Sequence, residues 1–130
     1  MDEEFLLLLK KSGCATLKIG AESGCDRILK YIDKRQTKED ILRGNKKIVR
    51  VGIDPIYTFM IGFPTETKEE MLETIETMKQ LQRDNKNAMI DGLNMFTPHK
   101  GTAIYEDALK LGLKEPRRIE EWQNWLFRGQ

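Results

Sequence analysis

The chain has 130 residues, of which 39% are apolar and 33% charged, and its formal net charge is +1. That length suits one domain, able to bury about two thirds of the surface its unfolded chain exposes, and the near-neutral balance excludes a global attraction to nucleic acid or to an anionic bilayer. The longest unbroken apolar run, Phe5 to Leu9, is too short to span a membrane and follows acidic residues where a secretory signal would be basic, so the expectation is a cytoplasmic protein with no membrane partner.

Asp2 to Ser12 reads as the last turns of a helix, with Lys10 and Lys11 near its negative end and Gly13 as the stop. A chain that opens inside an element points to the later part of something longer. Ala15, Leu17 and Ile19 alternate with Thr16, Lys18 and Gly20, a short strand ending at Gly20-Ala21-Glu22-Ser23-Gly24. Ser23 and Asp26 have the spacing of a cap pair before a helix that turns Ile28, Leu29 and Ile32 inward. Thr37 and Asp40 repeat the signal before a helix with Ile41, Leu42, Ile48 and Val49, closed by Gly52.

Five of the six residues from Ile56 to Ile61 are β-branched or aromatic, and this central run is too short for a helix and closed by Gly62 and Pro64. It reads as a strand covered on both faces. Thr67 and Glu70 form a capping box for a helix whose inward stripe is Met71, Leu72, Ile75, Met78 and Gln82. After a turn at Asp84 to Asn87, Ala88 to Phe96 is a third strand, ending at Thr97-Pro98-His99-Lys100-Gly101. Thr102 caps a helix with Ile104, Tyr105, Ala108, Leu109 and Leu111, Gly112 ends it, and a last short helix is expected around Ile119, Trp122, Trp125 and Leu126.

Strands alternating with helices imply right-handed crossovers and a parallel sheet, hence an α/β fold. The loops Gly20 to Gly24, Gly62 to Glu66 and Thr97 to Gly101 then share the carboxyl edge, where sites form in such sheets. His99, the single histidine, reads as a solvated loop residue, and the methionines are spaced as core packing. Basic residues between Arg27 and Arg50 read as solvated helix faces, so a nucleic-acid partner is not expected. Cys14 and Cys25, eleven positions apart, match no common zinc or iron–sulfur spacing, and no disulfide is expected in this context.

Gly20-Ala21-Glu22-Ser23-Gly24, Lys34 and Thr37, Phe59 to Thr67, and Phe96 to Thr102, in this order and spacing, resemble the later half of a radical S-adenosylmethionine (SAM) core domain. The tail, with Gly112, Pro116 and Glu120-Glu121-Trp122, further resembles the branch that often carries a cobalamin-binding domain upstream. The resemblance implies the parallel-stranded second half of a partial (β/α)6 barrel, with about three strands. Residues 1–113 would form the carboxyl-terminal half of the core domain and 114–130 a short helical tail. It also implies SAM, a 4Fe–4S cluster and, for the branch, cobalamin in the complete protein, and the upstream half of the same polypeptide as partner. The family's three-cysteine loop is absent, and two distant cysteines cannot supply three thiolates, so this chain alone is not expected to bind the cluster or to cleave SAM.

By the same resemblance, Glu22 and Ser23 fall where relatives contact SAM, and Lys34 falls where an arginine holds the methionine carboxylate. Lysine there offers charge without the bidentate fork. Thr58 matches the residue that bonds the ribose. Met60, Ile61 and Gly62 would form an apolar ledge and close backbone approach for adenine, with Phe96 and Thr97 on the other side. Cys25 stands where the family commonly has serine. Two other readings stay open: a non-catalytic nucleoside- or partner-binding module, and a barrel piece binding phosphate, which the carboxylate of Glu66 disfavours. An isolated three-strand piece would leave an open sheet edge and apolar surface, so self-association is expected.

Overall fold

A computed structural model describes residues 2–116 and 118–121. The elements are α1 (Glu3–Lys11), β1 (Thr16–Glu22), α2 (Asp26–Tyr31), α3 (Lys38–Arg50), β2 (Asp54–Ile61), α4 (Lys68–Asp84), β3 (Met89–Met95) and α5 (Ala103–Lys110). The strands form one parallel sheet in the order β1-β2-β3, with helices flanking it, the arrangement of a partial α/β barrel.

Local signals explain most boundaries. Asp2 caps α1, whose first turn is acidic and last turn basic, so Glu3–Lys11 is a helix with its own start and not, as the sequence suggests, the last turns of a longer one. Both expected capping boxes form, Thr37 with Asp40 at α3 and Thr67 with Glu70 at α4. The main core joins Ala21 of β1, Ile41 and Leu42 of α3, Tyr57 and Phe59 of β2, and Leu81 of α4. A second cluster sets Leu6 of α1 against Ile48 and Ile53. At about 1.5–3 kcal/mol for each large apolar side chain removed from water, these contacts hold the helices on one side of the sheet.

Four further expectations need correction. Ser23 and Asp26 do not cap α2: the N-cap is Cys25, without a side-chain bond, and Asp26 Oδ1 instead accepts from Lys38 N (2.7 Å) at the start of α3. The buried face of α4 is Thr74, Thr77 and Leu81, while Leu72 and Gln82 are exposed, because the short threonines admit the β1 loop closely. β2 is fully covered on one face only. Pro55, Tyr57 and Phe59 are buried, whereas Ile56, Thr58 and Met60 alternate with them and keep partial exposure. Val49, expected inward, is 41% exposed. Trp122, Trp125 and Leu126 lie outside the described residues.

A hydrogen-bonded hub ties α3, β2 and the end of α4 together. Asn45, fully buried, donates from Nδ2 to Leu81 O (2.9 Å), and its Oδ1 accepts from Tyr57 OH (3.3 Å) and Asn85 Nδ2 (3.2 Å). Every strong polar group of that amide finds a partner, which a buried polar network requires.

Candidate functional site

β1 does not end as a regular strand. Gly20 pairs with Thr58 and Glu22 with Phe59, so one extra residue is accommodated on β1. Ala21 goes wholly into the core, and Glu22, at φ +65°, folds its carboxylate back over Gly20 on the opposite face. A Cβ at position 20 would lie 2.4 Å from Glu22 Oε1, so a larger residue there would push the carboxylate out of this position. The chain then returns after α2 through the left-handed residue Asp33, and Lys34 N bonds Leu29 O (2.9 Å). Lys34 Nζ thereby reaches Glu22 Oε1 at 2.9 Å. Thr58, the pairing neighbour of Gly20, is half-buried beside them.

The loop after β2 forms the next wall. Gly62 sits at φ +84°, and Glu66 Oε2 accepts from Gly62 N (2.5 Å) and Phe63 N (3.1 Å). The other carboxylate oxygen of Glu66 is buried without a partner, and burial pushes this carboxyl above its ordinary range. Phe63 and Phe96 stack at 4.6 Å between ring centroids, and with Met60, Cys25 and Ile28 they make an apolar floor under the edge. Ile61 and Thr97 are partly exposed along the same rim. Phe96 N continues the pairing by bonding Ile61 O (2.8 Å).

Ser23 is placed differently from the other expected site residues. It has no exposed surface; its hydroxyl accepts from Cys25 N (3.0 Å) and shares a hydrogen bond with Thr74 (3.1 Å). Any ligand on the open face reaches it only through its neighbours. Gly24 follows, its N–H on Thr74 Oγ1 at 3.0 Å, and a Cβ there would meet Thr77 and the Thr74 backbone.

Sequence reasoning missed a clamp between these loops. The Arg27 guanidinium, at the start of α2, engages both oxygens of Glu70, and Nη2 also donates to Thr65 O (2.9 Å) while Nη1 donates to Thr65 Oγ1 (3.3 Å). Thr65 is held in the left-handed region at φ +68°. Arg27, with the Thr67 backbone, holds the Glu70 carboxyl down to about 2. Arg27 and Glu70 stand 43 positions apart, so their one sequence signal was Glu70 in its capping box. Cys25, next to the clamp, is buried, and desolvation raises its thiol, which suits packing and not nucleophilic chemistry.

A polar pair, a hydroxyl and a glycine ledge thus stand together on the carboxyl edge of a parallel α/β part-barrel, the edge where such sheets place their ligand sites. The radical SAM superfamily matches residues 1–78, and the chain belongs to that superfamily. Among similar proteins is an uncharacterized methyltransferase of Pyrococcus horikoshii, 34% identical over 108 residues, which are 83% of this chain and 22% of that protein. A tRNA-2-methylthio-N(6)-dimethylallyladenosine synthase of Thermotoga petrophila is 33% identical over 95 residues, 70% of this chain and 20% of the relative. The corresponding synthase of Acetivibrio thermocellus is 30% identical over 115 residues, 85% and 23% of the two chains. The chain thus spans about a fifth of the length of the curated relatives it matches.

Membership implies SAM and a 4Fe–4S cluster for a complete domain of this family. The residues described here fit the two groups unequally. Cys14 lies just before β1 and Cys25 just after it, about 20 Å apart along a strand of that length, and no group of metal-ligating side chains occurs among the described residues. They do not fit a cluster. For SAM the donor set does fit: a carboxylate, an ammonium and a hydroxyl on one face, with a glycine ledge and an apolar floor beside them. Among the described residues no helix is long and apolar enough to cross a membrane.

Proposed function

We propose that this chain forms the carboxyl-terminal wall of a radical SAM catalytic domain and holds the nucleoside and methionine portions of SAM for deoxyadenosyl-radical chemistry. The observation that carries this reading is the Glu22–Lys34 pair beside Thr58, on the sheet face opposite the main core. Lys34 would take the methionine carboxylate, Glu22 the ribose hydroxyls or the amino group, and Thr58 the ribose, each a hydrogen bond to a charged or polar group. Met60, Ile61, Gly62, Phe96 and Thr97 would bound the adenine, and the Arg27 clamp keeps the Gly62 loop in register with Glu22. When bound and reduced, SAM supplies the radical that removes a hydrogen atom from substrate. The cluster ligands come from the preceding strand–helix units, which would pair with the free edge of β1 and cover Phe5 and Leu8, 52% and 64% exposed on α1. Without that cover the chain should self-associate.

The relatives' names favour group transfer as the outcome, and the likeness of the tail favours cobalamin in the complete protein, which we read as cytoplasmic. A second reading, a non-catalytic nucleoside- or partner-binding module, draws on the misfit of the two cysteines to a cluster. Titration of S-adenosylhomocysteine into the 15N-labelled chain tests the site: amide shifts at Glu22, Lys34, Thr58 and Gly62 are expected, weakened about tenfold by Glu22→Gln or Lys34→Met. Absence of those shifts would sink the site. Anaerobic reconstitution of the complete protein with iron and sulfide, followed by SAM and dithionite, separates the readings: 5′-deoxyadenosine supports the catalytic one, binding without cleavage the module.

A further inference from the structure

The interiors of closed β/α barrels are usually filled by layers of Val, Ile and Leu. The corresponding face of this sheet is different. Lys18, Ile56 and Met89 lie side by side in register on the three strands, and one step toward the carboxyl edge come Gly20 and Thr58. Asp91 follows Met89 on the same face, and Lys18 Nζ crosses over β2 to bond Asp91 Oδ2 at 2.6 Å. β3 then bulges between Ile90 and Leu93, with Gly92 at φ +86°, so the register with β2 shifts just beyond Asp91 and pairing resumes at Leu93.

This ion pair contributes little to folding. Its side chains are 64% and 57% exposed, and exposed pairs are worth about 0–1 kcal/mol. It does create a fixed arrangement: an ammonium and a carboxylate side by side, carried by two strands that β2 separates, above an apolar strip of partly exposed Ile56 and exposed Met89. Because the pair is neutral overall, a lone anion or cation gains at one partner what it loses at the other. A planar neutral ring whose edge carries an acceptor next to an N–H satisfies both, with its face on Ile56 and Met89.

We infer that Lys18 and Asp91 form a second binding station on this face, separate from the Glu22–Lys34 station, and that it takes the lactam- or carboxamide-bearing edge of a heteroaromatic group of the substrate. This rests on reading the open face as the reaction chamber. The amide would insert between the partners, its carbonyl accepting from Lys18 Nζ and its N–H donating to Asp91.

The test uses the 15N-labelled chain, with nicotinamide as probe and benzoate and benzylamine as controls. Nicotinamide is expected to shift the amides of Lys18, Ile56 and Asp91, to leave Gly62 and Phe63 unmoved, and to bind at least about tenfold more weakly to Lys18→Met and to Asp91→Asn. Benzoate or benzylamine binding there as tightly as nicotinamide, or no shift on those residues in a folded sample, would overturn the inference. Both substituted side chains are exposed, so the variants should retain the parent spectrum. S-adenosylhomocysteine added to the same sample keeps the failures apart: loss of its shifts removes the cofactor reading, and loss of the nicotinamide shifts removes only this station.

Discussion

Glu22 and Lys34 meet at 2.9 Å although they belong to different segments, one on a strand bulge and the other beyond the end of α2. Both side chains keep part of their surface exposed, so the pair should matter for ligand binding more than for folding. Lys34→Arg is expected to retain or tighten binding of S-adenosylhomocysteine, because a guanidinium adds a second parallel hydrogen bond to a carboxylate. Lys34→Met should weaken it about tenfold with a change in unfolding free energy below about 1 kcal/mol. Calorimetric titration and urea denaturation measure the two quantities separately.

Gly24→Ala should destabilise the chain by about 1–3 kcal/mol, the usual cost of forcing a methyl group into filled space. The new Cβ would lie 2.9 Å from the Thr74 backbone and run against Thr77. Thr77→Ala, which removes the Oγ1 that would lie 2.4 Å from the new methyl, should recover part of the loss. Urea midpoints of the single and double variants check the coupling, and strict additivity would contradict the assigned contact.

Gly44 presents the opposite case. It lies within α3, a Cβ there meets nothing within 4 Å, and it borders a cavity of about 410 Å³ lined by Ile19, Ile41, Ile48 and Tyr57. Gly44→Ala should therefore stabilise by about 0.5–1 kcal/mol through helix propensity alone. A thermal scan that shows a lower midpoint would mean that this space is used by something.

Glu70 makes the chain acid-sensitive. Its carboxyl is held near 2 in the folded state against 4.5 when free, so its contribution is present above about pH 4.5 and is lost as the pH falls toward about 2. Glu66 acts in the other sense, since burial raises its carboxyl and the folded state favours its protonated form. Arg27→Met should flatten the Glu70 part of the profile while leaving that of Glu66, which urea titrations across that window would show as a smaller loss of stability on acidification.

Elements governed by neighbours in the chain were legible in the sequence. The capping boxes at Thr37 and Thr67 and the β2 strand follow from spacing and side-chain type, and the three loops fall together once the strands are parallel. What depended on distant partners was not. Ser23 looks like a cap by spacing, yet Thr74, 51 positions away, draws its hydroxyl into the core. Thr74 and Thr77 rank as polar, so a stripe chosen by hydropathy rotates the buried face of α4 away from the one the β1 loop requires. The Lys18–Asp91 pair spans 73 positions, and neither residue carries a local signal.

The bulge at the end of β1 sets the terms on which this site could be moved to another scaffold. In a regular strand, residues 20 and 22 would share a face by alternation alone, but here Glu22 pairs with Phe59, a core-facing position, and reaches the open side through its left-handed backbone. Grafting Glu22 and Lys34 as two point substitutions would therefore misdirect the carboxylate. The portable unit is the continuous stretch from Gly20 to Lys34, set beside a strand that presents a hydroxyl where Thr58 stands.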